Sequence, residues 1–392
     1  MIAAAQTQPE ERPTAQPGTL TLVLLLEPTP YVLPRAIYLQ RAADLNAEVV
    51  FTFRNGSQPW GQDADVQDIT VLLDSSVFRL RQFARVLRLL RHILAGRYTV
   101  AHVAGWGHWV TLCAILALKL RGVLFAVESD TQLQPTRSGY KERVKEILYP
   151  ILLNWPSAVL PGGSRQAKFF RHYGVPENRI HVAHMTVDTQ KLRSIPGKQR
   201  DVFRAEQGLS PEAVVFLYVG RFVPQKGIRL LADVSDVLTR ACRHANLVFA
   251  GAGELQQEVQ ALCARLPEQA RYLGRLSTSE VIQWMRASDI LVLPSLSEQW
   301  GLVVNEAMLC GLPIVASDRV GCVDDLVHHG KNGFIFPAGD SARLAFALTS
   351  LAEDGELRRR MGAESARIIE PWTMEREAEA IRSALVQMSG AQ

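Results

Sequence analysis

The sequence predicts two domains, each built of parallel α/β layers. Three observations carry that expectation. Short apolar runs of strand length alternate with longer amphipathic segments from one end of the chain to the other, which is the pattern of repeated βα units. With 392 residues, 47% of them hydrophobic, the chain exceeds one ordinary core and suits two domains of about 190 residues. A polar stretch near 188–204 divides the units into two series.

The first series follows a leader, 1–18, of mostly Ala, Gln, Pro, Thr and Glu, which reads as disordered and has neither the basic nor the apolar region of a signal peptide. A strand is expected at 19–26, ending in a stiff loop with three prolines, Pro28, Pro30 and Pro34. A helix over 36–46 and a strand over 47–53 come next, then a polar loop over 54–68 and a short strand near 69–73. Asp74 or Ser75 caps a helix reaching about 94, closed by Gly96. It carries Arg79, Arg81, Arg85, Arg88 and Arg91 without an acid, so it reads either as a core-facing helix with an arginine face or as a helix lying on an anionic membrane surface. Strand 99–103 leads into a loop with Gly105, Trp106, Gly107 and His108; helix 110–120, strand 123–127, helix 139–153, strand 157–160, helix 164–173 and strand 180–183 complete the series.

The second series opens with strand 214–220, the tight loop Arg221-Phe-Val-Pro-Gln-Lys-Gly and helix 228–242. Strand 246–250, Gly251-Ala-Gly253, helix 254–265, strand 270–273 and helix 278–286 lead to the stretch 294–317. There an apolar strand feeds a polar loop with Glu298 and Gly301, a short helix with Glu306, a helix-ending Gly311 and a second apolar strand. A short helix at 323–328, a strand at 333–336 and helices at 340–352, 355–369 and 373–388 finish the chain.

Composition excludes several classes. Charged residues are 21% and mean hydropathy is close to zero, as in a folded soluble protein. The net charge of +4 is small and its excess falls in the first half, so nucleic acid is not an expected partner. No apolar run reaches the ~18–20 residues of a membrane span. The five scattered cysteines, Cys113, Cys242, Cys263, Cys310 and Cys322, form no CxxC pair, which points to a reducing compartment, with no disulfide framework and no zinc site.

The groups able to do chemistry cluster in the second half. Arg221 and Lys226, bracketed by Gly220 and Gly227 on a loop entering a helix, suit a diphosphate: arginine chelates phosphate oxygens, lysine adds a mobile charge, and the helix end offers free N–H groups. The pair Gly251 and Gly253 lacks the third glycine and the acid of a nicotinamide site, so it marks close strand–helix packing instead. Glu298 and Glu306 could be a hydrolytic pair, which needs carboxyls ~5–9 Å apart across a sugar. Beside a diphosphate cradle they more naturally accept hydrogen bonds from ribose and sugar hydroxyls. Asp63-Ala-Asp65 lies in mid-loop and reads as solvated, and the scattered histidines show no metal-ligand spacing. His108 is kept as a candidate because its loop leaves the carboxyl end of a strand.

The order GRFVPQKG, AGAGE, PSLSEQWGLVVNEAMLCGLPIVAS, GCVDDLV and NGFIFPAGD resembles the retaining glycosyltransferases of family 4, and the spacing of Glu298 and Glu306 matches their EX7E signature. EPTPYVLPRA, HVAGWGHW and FAVESDTQ resemble, more loosely, members that build polysaccharides and glycolipids. The resemblance implies the GT-B fold, two Rossmann-like doubly wound domains facing a central cleft, with an acceptor domain over 19–195, a nucleotide-sugar domain over 196–372 and a last helix, 373–392, returning to the first domain. It implies that Arg221 and Lys226 hold the donor diphosphate, Glu306 the ribose and Glu298 the transferred sugar. Gly220, Gly251, Gly253, Arg275, Leu276, Trp300, Gly301, Leu302 and Val303 would line the donor side. Tyr31, Trp106, His108 and Glu128 would face the acceptor, with Glu298, Arg221, Lys226 and His108 as the catalytic set. It implies no metal and no cofactor beyond the nucleotide diphosphate sugar, and a sugar, lipid-linked or small-molecule acceptor. The cysteines point to a cytoplasmic protein, and the second reading of the arginine helix would give it a peripheral place on the inner membrane face. Other GT-B chemistries, an epimerase or hydrolase, and a non-catalytic binding domain remain alternatives. Two departures stand out: Pro-Thr-Pro-Tyr replaces the glycine pair after the first strand, and Val323-Asp324-Asp325 replaces a Pro-Glu.

Overall fold

The computed structural model describes residues 20–25, 31–42, 44–51, 70–71, 79–133 and 140–390. The expected leader, the prolines Pro28 and Pro30 and the Asp63–Asp65 loop lie outside them. Twelve strands form two six-stranded, wholly parallel sheets among the described residues.

The first sheet holds β1 (Thr21–Leu25), β2 (Ala47–Phe51), β3 (Thr70–Val71), β4 (Val100–Ala104), β5 (Leu124–Ser129) and β6 (Ala158–Pro161), in the order β3-β2-β1-β4-β5-β6. Its helices are α1 (Leu33–Arg41), α2 (Arg79–Ala95), α3 (Trp109–Leu120), α4 (Tyr140–Leu153) and α5 (Ser164–His172). All five residues of β1 are buried, as a central strand covered on both faces requires. Two short helices, α6 (Thr189–Ser194) and α7 (Arg200–Glu206), occupy the stretch expected to be a polar linker; the Asp188 carboxylate caps α6 by accepting from the Lys191 N–H at 2.9 Å.

The second sheet holds β7 (Val214–Val219), β8 (Ala245–Ala250), β9 (Ala270–Gly274), β10 (Ile290–Leu293), β11 (Ile314–Ser317) and β12 (Gly333–Phe336), in the order β12-β11-β10-β7-β8-β9. Helices α8 (Ile228–Ala241), α9 (Gln256–Arg265), α10 (Thr278–Ala287), α11 (Leu302–Leu309), α12 (Val323–Leu326), α13 (Ser341–Glu353) and α14 (Gly355–Ile369) accompany it. The last helix, α15 (Met374–Gly390), leaves this domain. It packs Ile381, Ala384, Leu385 and Val386 into the first domain's core beside Val23, Leu25, Leu39 and Phe51.

Two local expectations are corrected. The apolar run 180–183 is not a strand: it touches β6 through a single bridge, Val159 to Ile180, followed by the hydrogen bond from the Ala183 N–H to the Pro161 carbonyl at 2.8 Å. The helix expected from 36 begins at Leu33, because Pro34 falls in its first turn, where the missing N–H has no intrahelical partner to lose.

Candidate active site between the two sheets

In both sheets the chain reverses direction beside the first strand of the domain, between β1 and β4 and between β7 and β10. Loops diverge there and leave a crevice at the carboxyl ends of the strands. The second domain fills its switch point with Arg221 and Lys226 after β7 and Glu298 and Gly301 after β10.

Close backbone approach brings these loops together. Gly227 has φ +66°, and a Cβ there would stand 1.9 Å from the Pro294 carbonyl oxygen. The Leu296 and Ser297 N–H groups both donate to the Gln225 carbonyl, at 2.8 and 3.1 Å. The loop of Lys226 is therefore tied to the loop of Glu298, and the Lys226 ammonium touches the Glu298 carboxylate, both side chains 15% exposed. Gly301, at φ +99°, turns the chain into α11 against Val320, Leu293 and the Glu298 stem. The first N–H groups of α11, 302–303, follow directly on Gly301, at a helix start where no intrahelical acceptor precedes them. Arg221 is exposed on the rim, its carbonyl accepting from the Tyr218 hydroxyl at 2.9 Å.

Glu306 lies one turn further along α11 and is buried. Burial pushes its carboxyl up to about 7; a hydrogen bond from Tyr31 opposes the rise. That Tyr31 hydroxyl, 3.0 Å from Glu306 Oε1, comes from the first domain and crosses the crevice. Gly220, Gly251 and Gly253 line the neighbouring loops. Arg275 is exposed and Leu276 half-buried after β9, whose Gly274 carbonyl accepts from the Gly251 N–H at 2.7 Å.

Three assigned side chains are elsewhere. Trp300 is buried in the second domain's core, its indole N–H donating to Asn305 at 3.0 Å and its ring 5.8 Å from that of Trp372. Trp106 is buried beneath the first domain's rim, donating to Ser129 at 3.2 Å and edge-on to Tyr149 at 4.7 Å. Glu128 does not face an acceptor either. Its carboxylate is buried between Arg35 at 2.8 Å and His102 at 3.1 Å. Burial pushes Glu128 up, but the Arg35 charge and the hydrogen bonds from His102 and Arg35 outweigh it and hold the carboxyl at about 2. Arg35 also meets Glu377 of α15 at 2.7 Å, so one guanidinium serves two carboxylates and fastens the returning helix to α1 and β5. Glu377, with burial and the Glu128 charge against it, is pushed up to about 7 despite Arg35. Asp130, directly after β5, is exposed. Desolvation pushes its carboxyl up, and the charges of Glu128 and Glu298 add to the shift. His108 is exposed at the rim, with Nδ1 accepting from the Val110 N–H at 3.3 Å as the cap of α3. Desolvation lowers its pKa.

The domains are latched across the crevice by groups that no sequence spacing reveals. Gln132 Nε2 donates to the Glu298 carbonyl at 2.7 Å, and Gln166 Nε2 to the Gln299 carbonyl at 2.6 Å. Asp325 accepts the Ser164 N–H at 2.9 Å and its hydroxyl, capping a helix whose own cap, Gly163, has no side chain for it. Asp324 meets Arg165 at 2.7 Å and Lys168 at 3.0 Å. Asp325→Ala is therefore expected to lower stability by about 1–2 kcal/mol, the cost of a lost cap. It should also raise the radius of gyration seen by small-angle scattering as the domains part; an unchanged radius would show that the latch does not hold them.

Among the described residues no group of His, Cys, Asp and Glu is arranged to hold a metal, and no helix is long and apolar enough to cross a membrane.

A family model described as "Glycosyl transferases group 1" matches residues 199–367, and one described as "Glycosyltransferase Family 4" matches residues 38–191. The D-inositol 3-phosphate glycosyltransferase of Pseudarthrobacter chlorophenolicus is 28% identical over 314 residues, covering 76% of this chain and 72% of that protein. The enzyme of the same description from Streptomyces avermitilis is 33% identical over 208 residues, 50% of this chain and 44% of that protein, so the match spans less than half of that relative. The crystal structure of Anabaena HepE with UDP and glucose superposes with a TM-score of 0.73 at 19% identity, covering 94% of this chain and 100% of that one.

Proposed function

Since the chain belongs to the GT-B glycosyltransferases of the family 4 type, we propose that it moves a hexose, with retention, from a nucleotide diphosphate sugar to an acceptor hydroxyl. The observation that carries the reading is the joining of Lys226 and Glu298 beside the α11 N-terminus at the β7–β10 switch point. Cations and a helix end there suit a diphosphate, and carboxylates beside them suit sugar and ribose hydroxyls. HepE has been solved with UDP and with UDP-glucose, which makes UDP-glucose the first donor to try and a GDP-sugar the second.

In this reading Arg221 and Lys226 take the diphosphate oxygens, Glu306 the ribose hydroxyls and Glu298 hydroxyls of the transferred sugar. The acceptor oxygen attacks the anomeric carbon on the face from which the diphosphate departs. The bond from that carbon to the phosphate oxygen breaks as the glycosidic bond forms, and the hydroxyl proton passes to the leaving phosphate. Charge gathers on the diphosphate as this happens, where two cations and the helix end stabilise it without a metal ion. Asp130, His108 and Tyr31 form the acceptor side, and the acceptor belongs to polysaccharide or glycolipid synthesis.

Incubation with UDP-, GDP- and ADP-sugars, with and without sugar and lipid-linked acceptors, tests this. Nucleoside diphosphate release that requires an acceptor, with an anomerically retained product, is the expected result. Release without any acceptor would indicate a hydrolase, and conversion of the donor to another nucleotide sugar without release an epimerase; binding without turnover would reduce the chain to a binding domain.

A further inference from the structure

We propose that the outer face of α2, α3 and α4 is a docking surface for an anionic lipid bilayer, with the apolar stripe of α3 as the inserted element. The expectation from sequence concerned α2 alone, as a basic amphipathic helix; the structure adds beside it an apolar stripe of α3 that is left open to solvent.

On α3, Trp109, Leu112, Leu116 and Leu120 recur at spacings of three and four, so they share one helix face. That face is turned outward: Trp109 is 44% exposed, Leu116 47% and Leu120 77%. On α2, Leu87 and Leu94 are likewise exposed and lie seven residues apart, on one face of that helix. The two helices pack side by side, and their carboxyl ends are tied by the Arg121 guanidinium, which donates to the Leu94 carbonyl and, at 2.9 Å, to that of Gly96. A groove lined by Leu112, Ile115 and Leu152 joins α3 to α4, where Ile147 and Ile151 are exposed in turn. Single exposed leucines are ordinary on a protein surface; three adjacent helices that each expose several mark an interaction site.

Charge selects the occupant. Between Asp74 and Glu128 the sequence has no Asp or Glu but eight Lys and Arg. Arg88, Arg91, Arg97, Lys119 and Arg121 are exposed around the apolar residues. A second copy of the chain would bring cation against cation on α2 and α3 with no acid to pair; on α4 the exposed Glu146 lies beside His172, at 3.4 Å. An anionic headgroup layer over acyl chains matches both features at once. Placement matters as well. The loop at the carboxyl end of β4 runs directly into Trp109, so the stripe starts at the crevice rim and runs away from it toward Leu120. A bilayer seated on it would hold a membrane-anchored acceptor near the crevice. That last consequence rests on the transfer reading above, whereas the docking itself does not.

Sedimentation of the full-length protein with phosphatidylcholine vesicles, alone or with about a third phosphatidylglycerol, tests docking without reference to turnover. Binding to the anionic vesicles at least about fivefold above the neutral ones is expected, falling as salt rises. Leu116→Glu with Leu120→Glu, both exposed and so tolerable to the fold, is expected to lower the partition coefficient about tenfold. Arg88→Ala with Arg91→Ala should remove most of the preference for anionic lipid. The thermal midpoint of each variant verifies its fold. Equal binding to both vesicle types, or wild-type binding by the Leu116→Glu/Leu120→Glu variant, overturns the proposal. So does a dimer in sedimentation velocity that this variant loses while neither protein binds vesicles.

Discussion

Lys226→Ala is expected to lower kcat/KM for sugar transfer by about a thousandfold, roughly 4 kcal/mol of transition-state stabilisation. Two effects add. In the proposed donor pose the ammonium is a compact charge beside the leaving diphosphate, so its loss should be felt more in the transition state than on binding. Its removal also leaves Glu298, only 15% exposed, without the cation it touches. The rate constant should consequently fall further than donor affinity does. Lys226→Arg keeps the charge but presents it as a planar fork, and should recover part of the loss. Steady-state kinetics with the preferred donor, together with calorimetric titration of the nucleoside diphosphate, separate the two effects. A loss below about threefold in kcat/KM would mean that the pair with Glu298 is structural and that the diphosphate lies elsewhere.

Glu306→Gln is expected to uncouple stability from pH over a defined window. The folded chain holds the Glu306 carboxyl at about 7 against an ordinary 4.5, with burial as the cause. The folded state therefore binds this proton more tightly than the unfolded one. Stability from the group is complete below about 4.5, declines as pH rises toward 7 and is flat above. The shift corresponds to an upper bound on the order of 3 kcal/mol. Glutamine retains an oxygen for the Tyr31 hydroxyl and cannot ionise. The variant should lie closest to wild type in thermal midpoint at pH 5 and exceed it most at pH 8. Glu377 shifts in the same direction, but it is present in both proteins and cancels in the comparison. Donor affinity should move oppositely in wild type, rising through about pH 7 as the carboxylate forms to accept ribose hydroxyls. In the variant it should be weak and level. Parallel midpoint curves for the two proteins would show that Glu306 does not carry a buried charge.

The sequence by itself determined the parts of this protein whose causes are local. Strand-length apolar runs gave the parallel sheets. Gly227 and Gly301, followed by helix starts, gave the turns that carry Lys226 and Glu298, because a left-handed backbone needs no distant partner to specify it. The spacing of Glu298 and Glu306 told which acids share a loop and a helix. Tertiary structure alone decided which way the side chains of the first domain's rim face. A tryptophan on a glycine-rich loop looks the same in sequence whether it meets a ligand or a core; Trp106 and Trp300 are buried because Tyr149, Ser129, Asn305 and Trp372 receive them. Glu128 lies at the end of a strand, where acceptor-facing groups are expected, yet Arg35 and Glu377, 93 residues before it and on the last helix, turn it into an internal counter-ion. The same distance hid the latch. Periodicity and spacing report on neighbours along the chain, whereas the partner of a buried polar group is set by which helix the fold lays against it.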